Sequence, residues 1–124
     1  VNTKYKGDNA IGKAIEYYIS SGYEVCLPVG DKRPYDLIVE KNGKTWRVQV
    51  KYAGWYPKKQ KCFAGLRITG GNRSNNYAKK YKDDEFDVLF VYTETGNRYH
   101  IPWQSVDARS ELSIDTNKYL KYRV

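Results

Sequence analysis

Apolar residues recur at Ala10, Ile11, Ala14, Ile15, Tyr18 and Ile19. That i, i+4, i+8 spacing predicts a helix over residues 9–21 with one buried stripe, capped by Asp8 and stopped by Gly22. Beyond Gly22 the period falls to two. Residues 23–27 read as a short strand, 28–34 as a loop rich in charge and turn residues, and 35–40 as a second strand. Asn42-Gly43 is a strong type I′ hairpin signal, which returns the chain through residues 45–52. A two-residue turn sets Lys41 against Lys44 and, carried down the ladder, Asp36 against Gln49. Opposed side chains project from one face with Cβ atoms about 4.5–5.5 Å apart. Lys51, two residues beyond Gln49, shares that face, while Trp46, Val48 and Val50 point the other way with Leu37 and Val39.

The rest of the chain is less regular. Residues 54–82 form a long polar excursion, with a strand expected at 62–69. Residues 86–92 read as a buried strand, turned back by Thr95-Gly96-Asn97 into a strand over 98–101. A short helix is expected at 105–112, and the basic tail from 116 to 124 is left unassigned. The order implies a mixed α+β fold, with a central mixed sheet flanked by helices. At 124 residues the chain is read as a single domain, 1–124, carrying a basic excursion at about 54–82.

Charge narrows the partner. There are 22 Lys and Arg against 14 Asp and Glu, a net +8, which favours an anionic partner and nucleic acid ahead of a membrane surface. No stretch approaches the ~20 apolar residues of a spanning helix, and residues 1–7 lack the apolar centre of a signal peptide. The expected location is therefore cytoplasmic, nucleoid-associated when DNA-bound. Cys26 and Cys62 have no zinc-like spacing and read as reduced, partly buried thiols. His100 is the single histidine, which excludes a multi-histidine metal site, and Gly70-Gly71 sits in no phosphate-loop pattern.

The candidate chemistry lies on the hairpin. A lone Asp near a Lys is commonly a surface pair worth less than ~1 kcal/mol. Here the register brings three suitable groups to one patch, and the 28–34 loop delivers Asp36 at an open rim. Phosphodiester hydrolysis with Mg²⁺ needs hard oxygen ligands and tolerates several waters. Asp36 would bind the metal, Gln49 would offer its amide oxygen to it, and Lys51 would orient the attacking water and offset charge on the phosphate.

These residues carry a resemblance. Lys6-Gly7-Asp8, Gly22-Tyr23-Glu24-Val25, Pro34-Tyr35-Asp36-Leu37-Ile38-Val39, Arg47-Val48-Gln49-Val50-Lys51 and Asp87-Val88-Leu89-Phe90-Val91-Tyr92 resemble the PD-(D/E)XK nuclease superfamily. They look most like a cyanobacterial-type, group I intron-encoded homing endonuclease. The resemblance implies a restriction-endonuclease-like core, with Asp36, Gln49 and Lys51 as catalytic residues and Asp36 and Gln49 as metal ligands. It also implies Mg²⁺ as cofactor, with Mn²⁺ as substitute and Ca²⁺ binding without turnover. Double-stranded DNA is the implied substrate, and a homo-oligomer, a tetramer ahead of a dimer, the implied assembly. Such nucleases often place a further Glu on the first helix, and the matched segments put that position at Ile11. Two readings of Ile11 stand: plain core packing beside Ile15, or the loss of an acidic group that weakens cleavage.

Residues expected to contact DNA are Lys58, Lys59, Lys61, Arg67, Thr69, Asn72, Arg73, Ser74, Asn75, Asn76, Tyr77, Lys79 and Lys80. Lys and Arg neutralise phosphates, Arg and Asn read base edges, and a two-stranded ribbon fits the major groove. Trp55, Tyr56 and Trp103 are candidates for stacking on bases. The leading expectation is a sequence-specific, Mg²⁺-dependent double-strand DNA endonuclease. The alternatives are a Holliday junction resolvase and a non-cleaving DNA-binding module on the same fold.

Overall fold

The structure, a computed structural model, describes residues 3–71, 76–81, 84–108 and 110–124, with backbone alone for 67–71 and 76–80. The first element is the helix α1 (Thr3–Ser20), followed by strands β1 (Glu24–Cys26), β2 (Leu37–Lys41) and β3 (Lys44–Tyr56). Strands β4 (Lys61–Gly65), β5 (Arg67–Gly71), β6 (Asn76–Lys80), β7 (Val88–Thr93), β8 (Arg98–Pro102) and β9 (Glu111–Ile114) complete the chain, with 3₁₀ turns at Trp103–Ser105 and Leu120–Tyr122.

Helix α1 starts earlier than the apolar stripe implies, so Asp8 lies inside it and does not cap it. A tertiary contact holds the extra turns: the Lys6 ammonium stands 5.6 Å over the ring of Tyr52, and further along Lys13 stands 5.6 Å over that of Tyr92. Ala10, Ala14 and Tyr18 are buried, but Ile19 is 58% exposed, because the stripe facing the sheet is narrower than predicted. The helix does end at Gly22, whose φ of +89° suits glycine. The Gly22 amide donates to Ile19 and the Tyr23 amide to Tyr18, a Schellman closure.

The 13-residue β3 is the spine of a seven-stranded mixed sheet. Its first part pairs antiparallel with β2 in the predicted register, Lys41 against Lys44 through Leu37 against Val48. Asn42 and Gly43 both take positive φ, as a type I′ turn demands. The middle of β3, Val48 to Ala53, pairs parallel with β7, and its end, Gly54 to Tyr56, pairs with β4. Strands β7 and β8 form the predicted hairpin, and β9 closes the far edge on β4.

Three local expectations are corrected. The strand over 62–69 breaks at Leu66, which is fully buried and whose amide donates to the Ser110 carbonyl. That anchor turns the chain out of the main sheet into a separate two-stranded ribbon, β5–β6. The helix expected at 105–112 is instead a 3₁₀ turn followed by β9, in which Leu112 and Ile114 alternate inward at strand period and pair with β4. The flanking helices reduce to one α-helix among the described residues.

Two cores result. On the α1 side, Ala10, Ala14 and Tyr18 pack on Leu37, Val39, Val48, Val50, Val88 and Phe90. The opposite face is covered without a helix, by side chains including Tyr81, Phe86, Trp103, Leu112, Ile114 and Tyr119 around Leu89, Val91, Tyr99 and Ile101. Trp103 is 1% exposed and serves packing, so it is not available to stack on a base. Cys62 is buried as expected but Cys26 is exposed, and both are free thiols. No helix among the described residues is long and apolar enough to cross a membrane.

Candidate active site

The site forms where the ladder opens. Strand β2 leaves β3 after Val48, and β4 joins it only at Gly54, so, among the described residues, 49–53 have strand pairing to β7 alone. Asp36 does not continue the ladder opposite Gln49, as the hairpin register implied. Its amide donates to the Val48 carbonyl (2.8 Å), which draws the chain inward one residue before the regular strand. The Val50 amide, without a ladder partner there, donates to Asp36 Oδ2 at 2.8 Å. A side chain thus takes the place of a missing strand, which a buried backbone N–H requires.

Gln49 and Lys51 emerge on the face opposite Val48 and Val50. Gln49 is 8% exposed, one of two buried polar residues among the described set. Its Nε2 reaches only the Val50 carbonyl, at 3.4 Å, the long limit of a hydrogen bond. Asp36, Gln49 and Tyr81 line a cleft of about 260 Å³ with residues of the β1–β2 loop, including Asp31, Arg33 and Pro34. The Lys51 ammonium sits 5.2 Å over the Tyr81 ring.

Burial dominates the electrostatics. It holds the Asp36 carboxyl above its usual range, although the Val50 amide and the Lys51 ammonium both pull it down. Burial likewise holds Lys51 below the usual lysine value, with the attraction of Asp36 opposing. Tyr81 is pushed up to about 12, first by burial and then by Asp36 and Glu85. The carboxylate therefore carries a desolvation cost that its present partners do not cancel. A divalent cation would cancel it. The donor set suits a hard ion: a carboxylate, an amide oxygen and the Val50 carbonyl beside it are all oxygen ligands, and Mg²⁺ completes its shell with water. No cluster of three acidic, Cys or His residues that could hold a metal exists among the described residues; Asp36 and Asp31 are the carboxylates lining this cleft.

The remaining predicted residues fall into three places. Ile11 is half-buried against the α1-side core, across the sheet from Gln49 and Lys51. Lys58, Lys59 and Lys61 are exposed at the β3–β4 turn with Trp55 and Tyr56, and Lys59 lies over the Tyr56 and Phe63 rings. Arg67, Thr69, Asn76, Tyr77, Lys79 and Lys80 lie on the β5–β6 ribbon, with Arg67 paired to Lys80 and Gly71 to Asn76. Asn72, Arg73, Ser74 and Asn75 lie outside the described residues. Sequence reasoning missed Arg33 and Tyr81 as cleft residues. Arg33 was signalled only by its place just before Pro34, and Tyr81 only by its place in a Lys-rich run.

Known proteins share this architecture. A family model for PD-(D/E)XK endonucleases matches residues 1–121. Protein 5.3 of Escherichia phage T7 is 30% identical over 105 residues, covering 84% of each chain. The solved structure of a bacterial homing endonuclease, I-Ssp6803I, superposes with a TM-score of 0.85 at 30% identity, covering 99% of this chain and 89% of that one.

Proposed function

We propose that this chain, which belongs to the PD-(D/E)XK endonuclease family and is a DNA endonuclease, cuts both strands of a specific duplex site by Mg²⁺-assisted hydrolysis at Asp36, Gln49 and Lys51. The observation that carries the reading is the Asp36 carboxylate, half-buried at the fork in the sheet, against Val50 and beside Gln49 in one cleft. A carboxylate left in an unfavourable environment within a cleft is a mark of function. Asp36 and the Gln49 amide oxygen would hold the ion. When bound, the ion polarises the phosphate and acidifies a water. Lys51 orients that water and offsets the charge that develops on the phosphate oxygens. Arg33, on the cleft wall, suits a neighbouring phosphate of the same strand.

The whole chain acts as one domain, in which the basic segment at about 54–82 reads DNA. Its two-stranded ribbon has the dimensions of a major-groove reader, and its register sets Arg67 and Lys80 at one position. Lys58, Lys59 and Lys61 on the β3–β4 turn suit phosphate contacts. One cleft per chain and two antiparallel strands to cut call for a homo-oligomer of at least two copies. Action on intracellular DNA fits a cytoplasmic protein.

The test is cleavage of DNA carrying candidate sites in Mg²⁺, Mn²⁺, Ca²⁺ and EDTA by the wild type and Lys51→Met. Cutting in Mg²⁺ and Mn²⁺ only, lost in Lys51→Met, is the expected result. Equal cutting in EDTA would reject the mechanism. Replacing Lys79 or Lys80 by Ala should lower the salt slope of binding by about 1 each. The lack of a three-residue acidic cluster among the described residues favours one second reading, a DNA-binding module with weak or absent cleavage. Tight duplex binding in Ca²⁺ with no cutting in any metal would select it. Preferential cutting of a four-way junction would select a resolvase.

A further inference from the structure

Lys51 has a neighbour that neither the hairpin pattern nor the motif identifies. Its ammonium lies 5.2 Å from the centroid of the Tyr81 ring, within cation–π range. The ring is itself fixed. It meets Phe86 at 5.1 Å and Trp103 at 6.2 Å, both nearly perpendicular, and Tyr81 is only 7% exposed. Tyr81 also follows Lys80, the last residue of β6, so it forms one root of the β5–β6 ribbon; buried Leu66 forms the other. The same ring therefore lines the cleft with Asp36 and Gln49, covers Lys51, and anchors the ribbon.

We propose that Tyr81 is a positioning residue for the cleavage reaction, its ring face seating the Lys51 ammonium in the cleft, given Asp36, Gln49 and Lys51 as the reaction centre. A lysine on a flexible four-carbon stem has many rotamers, and a cation held over an aromatic face in a desolvated site keeps few of them. The ring restricts Lys51 without consuming the charge that the phosphate needs. A carboxylate partner would neutralise that charge. Because Tyr81 is the ribbon's root, the seat of the lysine and the seat of the ribbon are one residue.

The test uses single-turnover cleavage in Mg²⁺, duplex binding in Ca²⁺ and thermal unfolding, all on the full chain. Tyr81→Phe keeps the ring and should cleave within about threefold of the wild type, whereas Tyr81→Leu should lose about tenfold or more, the scale of a partly desolvated cation–π contact. Pentafluorophenylalanine incorporated at position 81 keeps the shape of Phe but reverses the charge distribution of the ring face. It should cleave about tenfold more slowly than Tyr81→Phe with DNA binding unchanged, at a temperature well below Tm. A ring that served packing alone would register fluorination in Tm, through its contacts with Phe86 and Trp103, and not in the cleavage rate of the folded protein. The proposal is overturned if the fluorinated protein cleaves like Tyr81→Phe, or if Tyr81→Phe falls as far as Tyr81→Leu, which would assign the role to the hydroxyl. Near-wild-type cleavage by Lys51→Met would instead overturn the reaction centre itself.

Discussion

The two faces of β3 were built by different means. Under α1, Val48 and Val50 join Leu37, Val39, Val88 and Phe90 against a helix whose buried residues are Ala10, Ala14 and Tyr18. The partners there are small or regularly spaced, and most come from the first 50 residues. The other face collects Tyr81, Phe86, Trp103, Leu112, Ile114 and Tyr119 from four separate segments. At one end that aromatic cover gives way to a cleft, and there Asp36, Gln49 and Lys51 stand beside an opened ladder. The closed face supplies stability, and the incompletely closed one supplies chemistry.

The sharpest way to break this contrast is Asp36→Asn. The change keeps an acceptor for the Val50 amide but removes the charge, and cleavage in Mg²⁺ should fall by about 10³-fold or more. The same substitution should raise Tm at pH 7. The folded pKa of Asp36 lies above its unfolded value, so ionisation opposes folding at neutral pH, and a neutral residue relieves that penalty. Unaltered cleavage, or a lower Tm at pH 7, would undo the division of labour.

On the closed face, Phe90→Ala deletes a fully buried ring and should cost about 3–5 kcal/mol, measured by urea unfolding. A loss below ~1 kcal/mol would mean the helix side is not the stabilising one.

A smaller effect tests the polar link across that face, where the Tyr18 hydroxyl meets His100 Nδ1 at 2.8 Å. Burial depresses the His100 pKa, so the folded protein binds its proton less readily than the unfolded chain. This contribution to stability is complete above about pH 6.5 and declines as the pH drops below it. Tm should fall between pH 7 and 5, and His100→Asn should flatten that slope. An equally steep slope in the variant would exclude His100 as its source.

The least effect is expected at Arg47–Asp87, a two-pronged pair at 3.2 Å linking the start of β3 to the residue before β7. Both side chains are more than a third exposed, so Asp87→Asn should cost about 1 kcal/mol or less, and less still in high salt. A loss above ~2 kcal/mol would show that the charged pair is not a screened surface contact.

The hairpin was legible because its signals are local. Asn42-Gly43 dictated the turn, the turn dictated the register, and alternation put Gln49 and Lys51 on one face and the valines on the other. The helix stop at Gly22 was legible for the same reason, a positive φ that an L side chain resists. The first turns of α1 and the strand β9 were not legible, because both depend on distant contacts: Tyr52 for the helix, β4 for the strand. Within the site, Asp36 and Gln49 were brought together for a reason the ladder did not give. The strand ends one residue early, and the freed Val50 amide recruits the carboxylate.

The sequence by itself determined which residue types could do the chemistry, the hairpin that carries them, and a basic surplus suited to DNA. Periodicity, turn residues and charge are properties of neighbouring positions, and they survive without a fold. The tertiary structure alone decided the fork in β3, the burial that sets Asp36 and Lys51 away from their ordinary pKa values, and the arrival of Tyr81 from thirty residues downstream of Lys51. Desolvation and missing strand partners exist only once distant segments have packed.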